Sequence, residues 1–556
     1  MKLKCFSIGT LGLLAVSGLA WSCSNKAEDC DANLNCGPYG GGAPGTSGAS
    51  GLSGASGTGG AGGTSGTSGE GGTDPSSAGS GGAPPPPCDG SLSPDMDACV
   101  ISDEYGIFVS PDGDDASADG TQAHPFAKLT SALGSESIAN KHVYVCAADY
   151  AEPGILEIPD RVSIYGGFSC DGGNWKYDSP FPAHLLPASA IGAMITDAKV
   201  GVVLQDVRLD AQNAPDGTGA NSFGLMIIRS QNIVLKRVEI RAGKGGKGST
   251  GADGPTGLDG IASGADQNGE AGTCSSPPFS RIGSQAITQQ CGSQGGAGGT
   301  AQAAVSYSPI QDGAGGYPVT SSNGGGKGGE ALGQNAKPGQ PGDNGARGDL
   351  GLAAPAVGEF SEAGYNVASG GSGGPGKPGA GGGGGGASLG STTCLGATGG
   401  AGGMGGCGGD PGAGGGGGGA SVALFSWQSS VSLDGCNLTA STGGAGGNGG
   451  NAHAGGAGKP GGMGGGTDKD NTVGAGGDGL RGGSGGNGGN GAGGTGGPAI
   501  ALSWSGTKPI QMGDCHLNVG EGGKPGLGGR LGSDSTKWGP DGQAGIAEVV
   551  FPKETP

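Results

Sequence analysis

The sequence predicts an all-β protein, a solenoid in which short parallel strands stack coil upon coil. Three observations lead to this fold class. A strand template with apolar residues at alternate positions occurs four times. Glycine supplies 142 of the 556 residues, and most of it lies in tracts between the templates. Charged residues make up 13% and aromatic residues 4%, too few for a conventional compact enzyme over the whole length.

The amino terminus has the pattern of an export signal. Two lysines precede an apolar stretch at residues 6–20, which is too short to span a bilayer stably, and small residues lead to Cys23. This stretch resembles a bacterial lipoprotein signal, and the resemblance implies cleavage before Cys23 and acylation of its thiol. We therefore expect residues 1–22 to be a signal peptide. Ser24 after the cysteine favours an outer-membrane or cell-surface lipoprotein.

An ordinary secreted protein is the alternative, because Ala20 and Ser22 also suit a common signal peptidase. The net charge of −19 argues against nucleic acid and against an anionic membrane surface as partners. The expected membrane contact is therefore through a lipid anchor.

The cysteine count also favours export. With Cys23 acylated and the signal removed, twelve cysteines remain, and an even number in an exported protein favours six disulfides. Their spacing favours pairing between sequence neighbours but does not fix the connectivity. The candidates are Cys30, Cys36, Cys88, Cys99, Cys146, Cys170, Cys274, Cys291, Cys394, Cys407, Cys436 and Cys515, with Cys30–Cys36, Cys88–Cys99 and Cys274–Cys291 as examples of neighbouring pairs.

The mature chain opens with a tether. Residues 37–87 are Gly, Ser, Ala, Thr and Pro almost throughout and end in four prolines, a composition typical of a flexible linker. We expect residues 23–104 to form the lipid anchor and tether, which hold the rest of the protein away from a membrane.

Ordered structure is expected after the tether. Strand-like runs at 142–146, 155–158 and 162–168 follow a short helical stretch at 127–133. The run FVSPDGDDASADGTQAHPFAKLTSAL, followed by VYV and VSIYGGF, resembles the amino-terminal part of right-handed parallel β-helix proteins of the pectin-lyase-like class. The resemblance covers residues 105–242, implies that fold and its handedness, and brings no catalytic motif.

The repeat also follows from the residues alone. The template reads apolar-x-apolar-x-x-(Val/Cys)-x-apolar, which describes two short strands that meet at a corner. Its copies start at Val202, Ile233, Val431 and Ile510, separated by 31, 198 and 79 residues. If one coil takes 31 residues, the later gaps contain insertions of 167 and 48 residues. These are the Gly-rich tracts, and both should leave the same corner of successive coils.

Stacking the templates predicts a disulfide between coils. Cys436 and Cys515 hold the same template position in neighbouring coils. Adjacent strands lie about 4.8 Å apart, within the Cα separation that a disulfide needs. We therefore expect these two cysteines to be bonded.

Stacking also predicts charge pairs on the exterior of the first two templates. Cross-strand pairs of opposite charge are the simpler interpretation. A catalytic acid and base on a polysaccharide-cleaving face is the alternative, but the last two templates carry uncharged or histidine side chains in the same columns. The expected pairs are Asp206 with Arg237, Arg208 with Glu239, and Asp210 with Arg241.

The Gly-rich tracts approximate a GGx repeat. They resemble polyglycine-II bundles of some antifreeze and phage-adhesin proteins and the PGRS repeats of mycobacterial surface proteins. A packed polyglycine-II-like bundle and a disordered fringe are both compatible with this composition. Beyond the tether we expect a cap and first coils at 105–242, an insertion at 243–419, a coil at 420–442, an insertion at 443–497, a coil at 498–520, and a Gly-rich segment with a final strand at 521–556.

Other motifs carry little weight. Four aspartates near the start of the ordered chain are a weak calcium candidate, because they lack the EF-hand spacing and its closing glutamate. Trp427 and Trp504 fit a buried aromatic stack better than a sugar-binding platform. Arg347, Gly348 and Asp349 spell an integrin tripeptide that chance explains. The aspartates are Asp112, Asp114, Asp115 and Asp119.

The expected function is non-enzymatic. The five histidines are scattered, so no catalytic residue, cofactor or metal site is predicted. We expect a structural or adhesion-like surface lipoprotein whose partners are the outer membrane and surface polysaccharide or another surface protein. A carbohydrate-active β-helix that binds or cleaves polysaccharide is the alternative, and an ice-binding surface is a third possibility.

Overall fold

The computed structural model describes residues 88–552 apart from residues 139, 179, 275–279 and 304–311, and its regular secondary structure is mostly short strands. The predicted signal peptide, the acylated Cys23, the candidates Cys30 and Cys36 and the tether lie outside these residues.

The helices are few and short. They are α1 (Leu129–Leu133) and 3₁₀ turns at Ala98–Val100, Glu136–Ile138, Asp171–Gly173, Ala265–Gln267 and Ser535–Lys537. The strands are β1 (Gly106–Val109), β2 (His142–Cys146), β3 (Asp149–Glu152), β4 (Leu156–Glu157), β5 (Ser163–Ser169), β6 (Lys176–Tyr177), β7 (Ala183–Pro187), β8 (Ile191–Thr196), β9 (Val202–Gln205), β10 (Val207–Asp210), β11 (Ser222–Ile228), β12 (Ile233–Lys236), β13 (Glu239–Arg241), β14 (Ser280–Arg281), β15 (Ala301–Gln302), β16 (Glu359–Ser361), β17 (Gly364–Asn366), β18 (Ser421–Trp427), β19 (Val431–Asp434), β20 (Asn437–Thr439), β21 (Ala499–Ser505), β22 (Ile510–Met512), β23 (His516–Asn518) and β24 (Ala547–Phe551).

Three sheets of parallel strands contain most of these elements. The first has the order β1-β2-β5-β9-β12-β19-β22, with β6 added antiparallel to β5; the second is β3-β7-β10-β13-β20-β23; the third is β4-β8-β11-β18-β21-β24. From β2 onward the chain passes from the first sheet to the second and then to the third, and it repeats this order through β24. The mostly-β, parallel architecture of the prediction is therefore confirmed.

The interior between the sheets is filled by side chains. In the third sheet Leu156, Leu225, Leu424 and Leu502 follow one column and are each at most 1% exposed. Alternate residues of a strand point to opposite faces, so the period-two pattern of each template sends its apolar residues inward. The first three templates pair in the predicted register, with Ile233 opposite both neighbouring template starts.

The turn between the first and second sheets uses left-handed backbone. Asp206, Arg237 and Gly435 occupy it in successive coils with φ of 55°, 51° and 63°. Only glycine adopts this region freely, so the two charged residues carry a local conformational cost. Their mutual ion pair, described below, stabilises this turn.

The fourth template is out of register, which corrects the prediction. In β22, Ile510 lies opposite Ser432 and Met512 opposite Asp434, both outward positions. Ile510 is 61% and Met512 47% exposed. β22 ends its sheet, so no further described strand packs on it to enforce the inward phase. An extra residue at Gly513, φ 69°, restores the template register in β23.

A cap closes the amino end of the stack. Leu129 and Ala132 of α1 are buried against the core. The carboxylate of Glu152, 1% exposed, accepts the N–H groups of Leu129 at 2.9 Å and Thr130 at 3.1 Å. These bonds satisfy donors that the first turn of a helix leaves free.

Both large insertions join the second sheet to the third, after β13 and after β20. Their extended segments, together with two that follow β23, pack side by side in a body that we call the glycine bundle. It comprises residues 242–260, 294–300, 312–329, 335–352, 368–387, 398–419, 441–465, 475–497, 520–529 and 539–545.

Backbone hydrogen bonds hold the glycine bundle together, and their donors recur every third residue. Three residues is also the period of a polyproline-II chain, which has no internal hydrogen bonds and so leaves its backbone groups for neighbours. Of the two alternatives for the Gly-rich tracts, the structure has the packed one. Between two central segments, Gly444, Gly447 and Gly450 donate to the carbonyls of Gly419, Gly416 and Ala413, each at 2.8 Å.

The glycine pattern differs between the interior and the outside of the bundle. Residues 398–419 and 475–497 are largely GGx and have bundle segments all around them, whereas 242–260 and 335–352 lie outside and approach G-x-y. A Cβ on the interior Gly402 would lie 1.9 Å from the carbonyl oxygen of Gly382. Close packing therefore demands glycine at such interior positions.

A recurrent pair of hydrogen bonds, which we call the polar–glycine clasp, joins neighbouring segments. Gly491 donates its N–H to the carbonyl of Gly450 at 3.0 Å, and the side chain of Asn490 before it accepts the N–H of Ala452 at 2.8 Å. The same pattern, with the N–H two residues after the carbonyl, occurs at Ser369–Gly370, Ser372–Gly373, Asp478–Gly479, Asn487–Gly488 and Asp541–Gly542. In a second form one residue supplies both the carbonyl and the N–H, as at Asn213–Ala214, Asp216–Gly217, Asp253–Gly254, Asp259–Gly260 and Asn344–Gly345.

Four disulfides link eight of the ten described cysteines. Cys88–Cys99 matches the expected neighbour pair, and Cys146–Cys170 also joins sequence neighbours. The expected Cys274–Cys291 pair is wrong. Each of these residues instead bonds to a cysteine more than a hundred positions away in the same insertion, because packing brings distant segments closer than the chain connection does. The observed bonds there are Cys274–Cys394 and Cys291–Cys407.

Candidate functional site

Charged side chains cover the outer face of the second sheet at its amino end. We call this set the charged face. The predicted register is confirmed, with Arg208 opposite Glu239 and Asp210 opposite Arg241. The set consists of Asp149, His184, Arg208, Asp210, Glu239 and Arg241, on β3, β7, β10 and β13.

An imidazole between two carboxylates is the centre of the charged face. His184 Nδ1 lies 2.7 Å from Asp149 Oδ1, and Nε2 lies 3.0 Å from Asp210 Oδ2. Sequence reasoning missed this contact. Aligning β3 with β7 places Asp149 opposite His184, but the template does not extend into these strands.

The arginines complete the pairing. Arg208 donates to Asp210 at 2.6 Å and lies 3.7 Å from Glu239, and Arg241 pairs with Glu239. Burial raises the pKa of Asp210, but hydrogen bonds from Arg208 and His184 outweigh it and leave the pKa below its ordinary value. The hydrogen bond with Asp210 raises the pKa of Arg208. Every charged group of the face therefore has a partner within it.

A second cluster surrounds the left-handed turn. Asp206, 2% exposed, accepts two hydrogen bonds from Arg237 at 2.7 and 2.8 Å, which confirms that predicted pair. Tyr177 donates to Asp206 and accepts from Arg237. Burial raises the pKa of Tyr177 to about 12. Asp95, which precedes the cap, binds Lys236 at 2.6 Å, so this cluster attaches the start of the described chain to the sheets.

Three of the four aspartates named as weak calcium candidates accept hydrogen bonds that stabilise the loop around them. Asp114 accepts from Ser117 and Asp119 from Thr121, and these hydrogen bonds lower both pKa values. Asp115 accepts the N–H of Ala127 at 2.8 Å. Asp112 lies at the rim of a separate groove. No group of three metal-binding side chains occurs among residues 88–552 as described.

The two tryptophans do not form a common surface. Trp504 lies opposite Ser426 on the neighbouring strand and packs against the core between the sheets. Trp427 lies opposite Ser505 and stacks on Phe425 on the other face of the sheet, with ring centroids 6.0 Å apart. Both the expected stack and its alternative, a sugar platform, are therefore wrong. The cause is a one-residue offset, which reverses the face.

Cys436 and Cys515 are free thiols, which corrects the predicted disulfide. They do lie at neighbouring positions, since His516 donates its N–H to the carbonyl of Cys436 at 2.8 Å. The Cys436 thiol instead contacts the carbonyl of Leu235 at 3.1 Å, and burial raises its pKa to about 11. Proximity in register was predictable, but the direction of each thiol was not.

The integrin-like tripeptide is part of the bundle. Arg347 donates to the carbonyls of Gly488 at 3.3 Å and Lys537 at 2.6 Å, so its guanidinium is held by its own chain. The interpretation as a chance match fits this geometry.

The fold and site define a class: a mostly-β protein of parallel sheets whose four disulfides are compatible with an exported protein. In the described part of the chain, no helix has the length and apolarity to cross a membrane. Comparison with protein-family models, curated proteins and solved structures gives no match.

Proposed function

We propose that this protein is a non-enzymatic cell-surface lipoprotein with a structural or adhesion-like role. A right-handed parallel β-helix of the pectin-lyase-like class carries a polyglycine-II bundle on one side. The fixed order in which the chain visits three parallel sheets supports the β-helix. The three-residue hydrogen-bond period supports polyglycine-II packing.

Mutual pairing within the charged face is the observation that carries the non-enzymatic role. A general acid or base must be free to exchange a proton with a substrate. Here both ring nitrogens of His184 contact carboxylates, and Asp210 is held by Arg208 as well. These groups instead join β3, β7, β10 and β13 of the second sheet to one another.

The surface location rests on the sequence together with the disulfides. The signal at residues 1–22, Cys23 and the Gly/Ser/Pro-rich stretch that follows favour an outer-membrane anchor. Surface polysaccharide or another surface protein would then be the partner of the displayed bundle.

The location is tested by replacing Cys23 with alanine and following fatty-acid labelling and membrane retention. We expect both to be lost, while Cys5→Ala, inside the signal, leaves them unchanged. Labelling that survives Cys23→Ala would refute the anchor.

A carbohydrate-active site is the second candidate, and the Asp149–His184–Asp210 contact favours it. Purified protein is offered to acidic and neutral polysaccharides, with binding and cleavage recorded. Cleavage that disappears in His184→Gln but persists in His516→Gln, further along the same face, would replace the non-enzymatic proposal. Binding without cleavage would identify the displayed partner as a polysaccharide.

A further inference from the structure

Two thiols that form no disulfide lie in the last two coils of the stacked sheets. Cys436 and Cys515 are the free cysteines of the described part of the chain. Both occupy the turn between the first and second sheets, Cys436 between β19 and β20 and Cys515 between β22 and β23. Cys436 is fully buried in the core, and Cys515 is partly buried against it. The two thiols therefore form a pair at the carboxyl end of the core.

The register of the strands stacks the two cysteines directly. His516 donates its N–H to the carbonyl of Cys436, so Cys515 follows Cys436 at one strand spacing, about 4.8 Å. The Cys436 sulfur lies 3.7 Å from the carbonyl oxygen of Asp434, and the Cys515 sulfur lies 4.0 Å from that of Met512. Asp434 and Met512 are themselves opposite each other in β19 and β22. The two sulfur atoms therefore lie beside corresponding carbonyls in successive coils.

This stacking is unsuited to a disulfide and suits a bridging ion. A disulfide brings its two sulfur atoms to about 2.05 Å from each other. Two sulfur atoms joined in a line through one metal ion are twice the metal–sulfur distance apart, about 4.6 Å for bonds of about 2.3 Å. That separation is close to the strand spacing of about 4.8 Å. An ion between the coils would therefore bond to both sulfur atoms without moving the strands.

The surroundings select the kind of ion. Thiolates prefer soft metals, and among these zinc and iron–sulfur clusters need at least three protein ligands. No group of three metal-binding side chains occurs in the ranges that the structure describes. Apolar side chains such as Leu438 and Leu517 pack beside the two cysteines and offer no further ligand. Cu(I) is the soft ion that two thiolates in a line can satisfy.

We propose that Cys436 and Cys515 bind one Cu(I) ion between the last two coils, with their two sulfur atoms as its ligands. On binding, both S–H bonds break, two S–Cu bonds form and two protons pass to solvent, while copper stays Cu(I). The ion joins the turn before β20 to the turn before β23 and so fastens the last coil to the stack. The site depends neither on the surface location nor on the charged face.

Copper uptake by the purified full chain tests the site. Copper is kept as Cu(I) by ascorbate under argon, which leaves the disulfides intact, and is offered in competition with a chromogenic Cu(I) chelator. We expect the parent to bind one more ion per chain than Cys436→Ala/Cys515→Ala, and each single alanine variant to lose that ion as well. The comparison cancels any uptake by the four cysteines before residue 88, which every variant keeps.

Met512→Leu is the matched control, because it removes a neighbouring soft sulfur on the outer face of β22 and should leave uptake unchanged. Copper should also slow hydrogen exchange over residues 510–518 at least about tenfold in the parent and have no effect in Cys515→Ala, whose partly exposed site tolerates the change. Equal uptake by the parent and the double variant would overturn the proposal. So would uptake retained by either single variant, uptake lost in Met512→Leu, or a Cys436–Cys515 disulfide found in non-reduced peptides.

Discussion

The stacked sheets and the glycine bundle fill their interiors in opposite ways. Between the sheets, leucines such as Leu424 are fully buried and side chains contact side chains. In the bundle, backbone contacts backbone, and Gly402 leaves 1.9 Å between an imagined Cβ and the nearest carbonyl oxygen. Mutations that shorten a buried side chain should therefore destabilise the stacked sheets, whereas mutations that add a side chain to a packed glycine should destabilise the bundle.

The two regions also differ in what sets the register between neighbouring segments. Between the sheets, the side-chain pattern sets the register, and a weakly enforced end strand such as β22 slips by one residue. In the bundle, register comes from the polar–glycine clasps, in which side-chain oxygens select particular N–H groups. A sequence of low complexity can therefore specify one packing.

Gly402→Val should have the largest effect. The added side chain meets the backbone of Gly382, which cannot rotate away, so we expect a loss of about 4 kcal/mol in the free energy of unfolding or failure to fold. Gly466→Val is the matched control, since its Cβ would meet nothing within 4 Å. Chemical denaturation measures both. Equal stability of the two variants would show that the bundle is not close-packed.

Leu424→Ala should have the second largest effect, a loss of about 3 kcal/mol in the free energy of unfolding, because it leaves a cavity at a fully buried position between the sheets. Ser432→Ala, on the outer face of the first sheet, is the control and should change stability little. A small loss in the leucine variant would mean that the inner column is loosely packed.

Asn490→Ala tests the polar–glycine clasp and should lower the free energy of unfolding by about 2 kcal/mol. Asn490 is fully buried, accepts from Ala452 at 2.8 Å and donates to the carbonyl of Lys537 at 2.7 Å. Its removal leaves the N–H of Ala452 without a partner, whereas the carbonyl of Lys537 keeps its hydrogen bond from Arg347. The exposed Ala457→Ser is the control. Hydrogen exchange should accelerate at Ala452 specifically; unchanged exchange there contradicts the clasp.

The smallest expected effect is the loss of stability at low pH that comes from the charged face. The folded pKa of Asp210 is below its ordinary value, so its pairing stabilises the protein fully above about pH 4. That contribution is lost as the pH falls through the lowered pKa. Asp210→Asn should be less stable than the parent at pH 7 and match it in strong acid. A difference that persists unchanged in acid would rule out ionic pairing as its source.

The sequence predicted much of the sheet region because its signal is local. Val202, Ile233 and Val431 start templates of period two, and the structure pairs them in register. The same reasoning paired Arg208 with Glu239. The prediction was wrong at Ile510, because no further coil packs on β22 to fix which of its residues face inward. It was also wrong at Cys436 and Cys515, because the directions of their thiols depend on packing.

The candidate site was predicted in part. The template placed Arg208 opposite Glu239 and Asp210 opposite Arg241, but the shorter contacts that Arg208 makes with Asp210 and Arg241 with Glu239, each within one strand, were not predicted. The contact of His184 was not predicted either, since β3 and β7 lack the template. The Cys274–Cys394 and Cys291–Cys407 bonds join residues more than a hundred positions apart. Only the packing of the bundle brings such positions together.

By itself, the sequence determined the parallel strands, their inward faces and the positions at which glycine tracts interrupt them, because alternation and composition are local properties. Tertiary structure alone decided that the tracts are packed, which segments are neighbours and which cysteines are bonded. A GGx chain has few side chains to encode its partners. The hydrogen bonds that select them, such as those of Asn490 and Asp253, exist only once segments lie side by side.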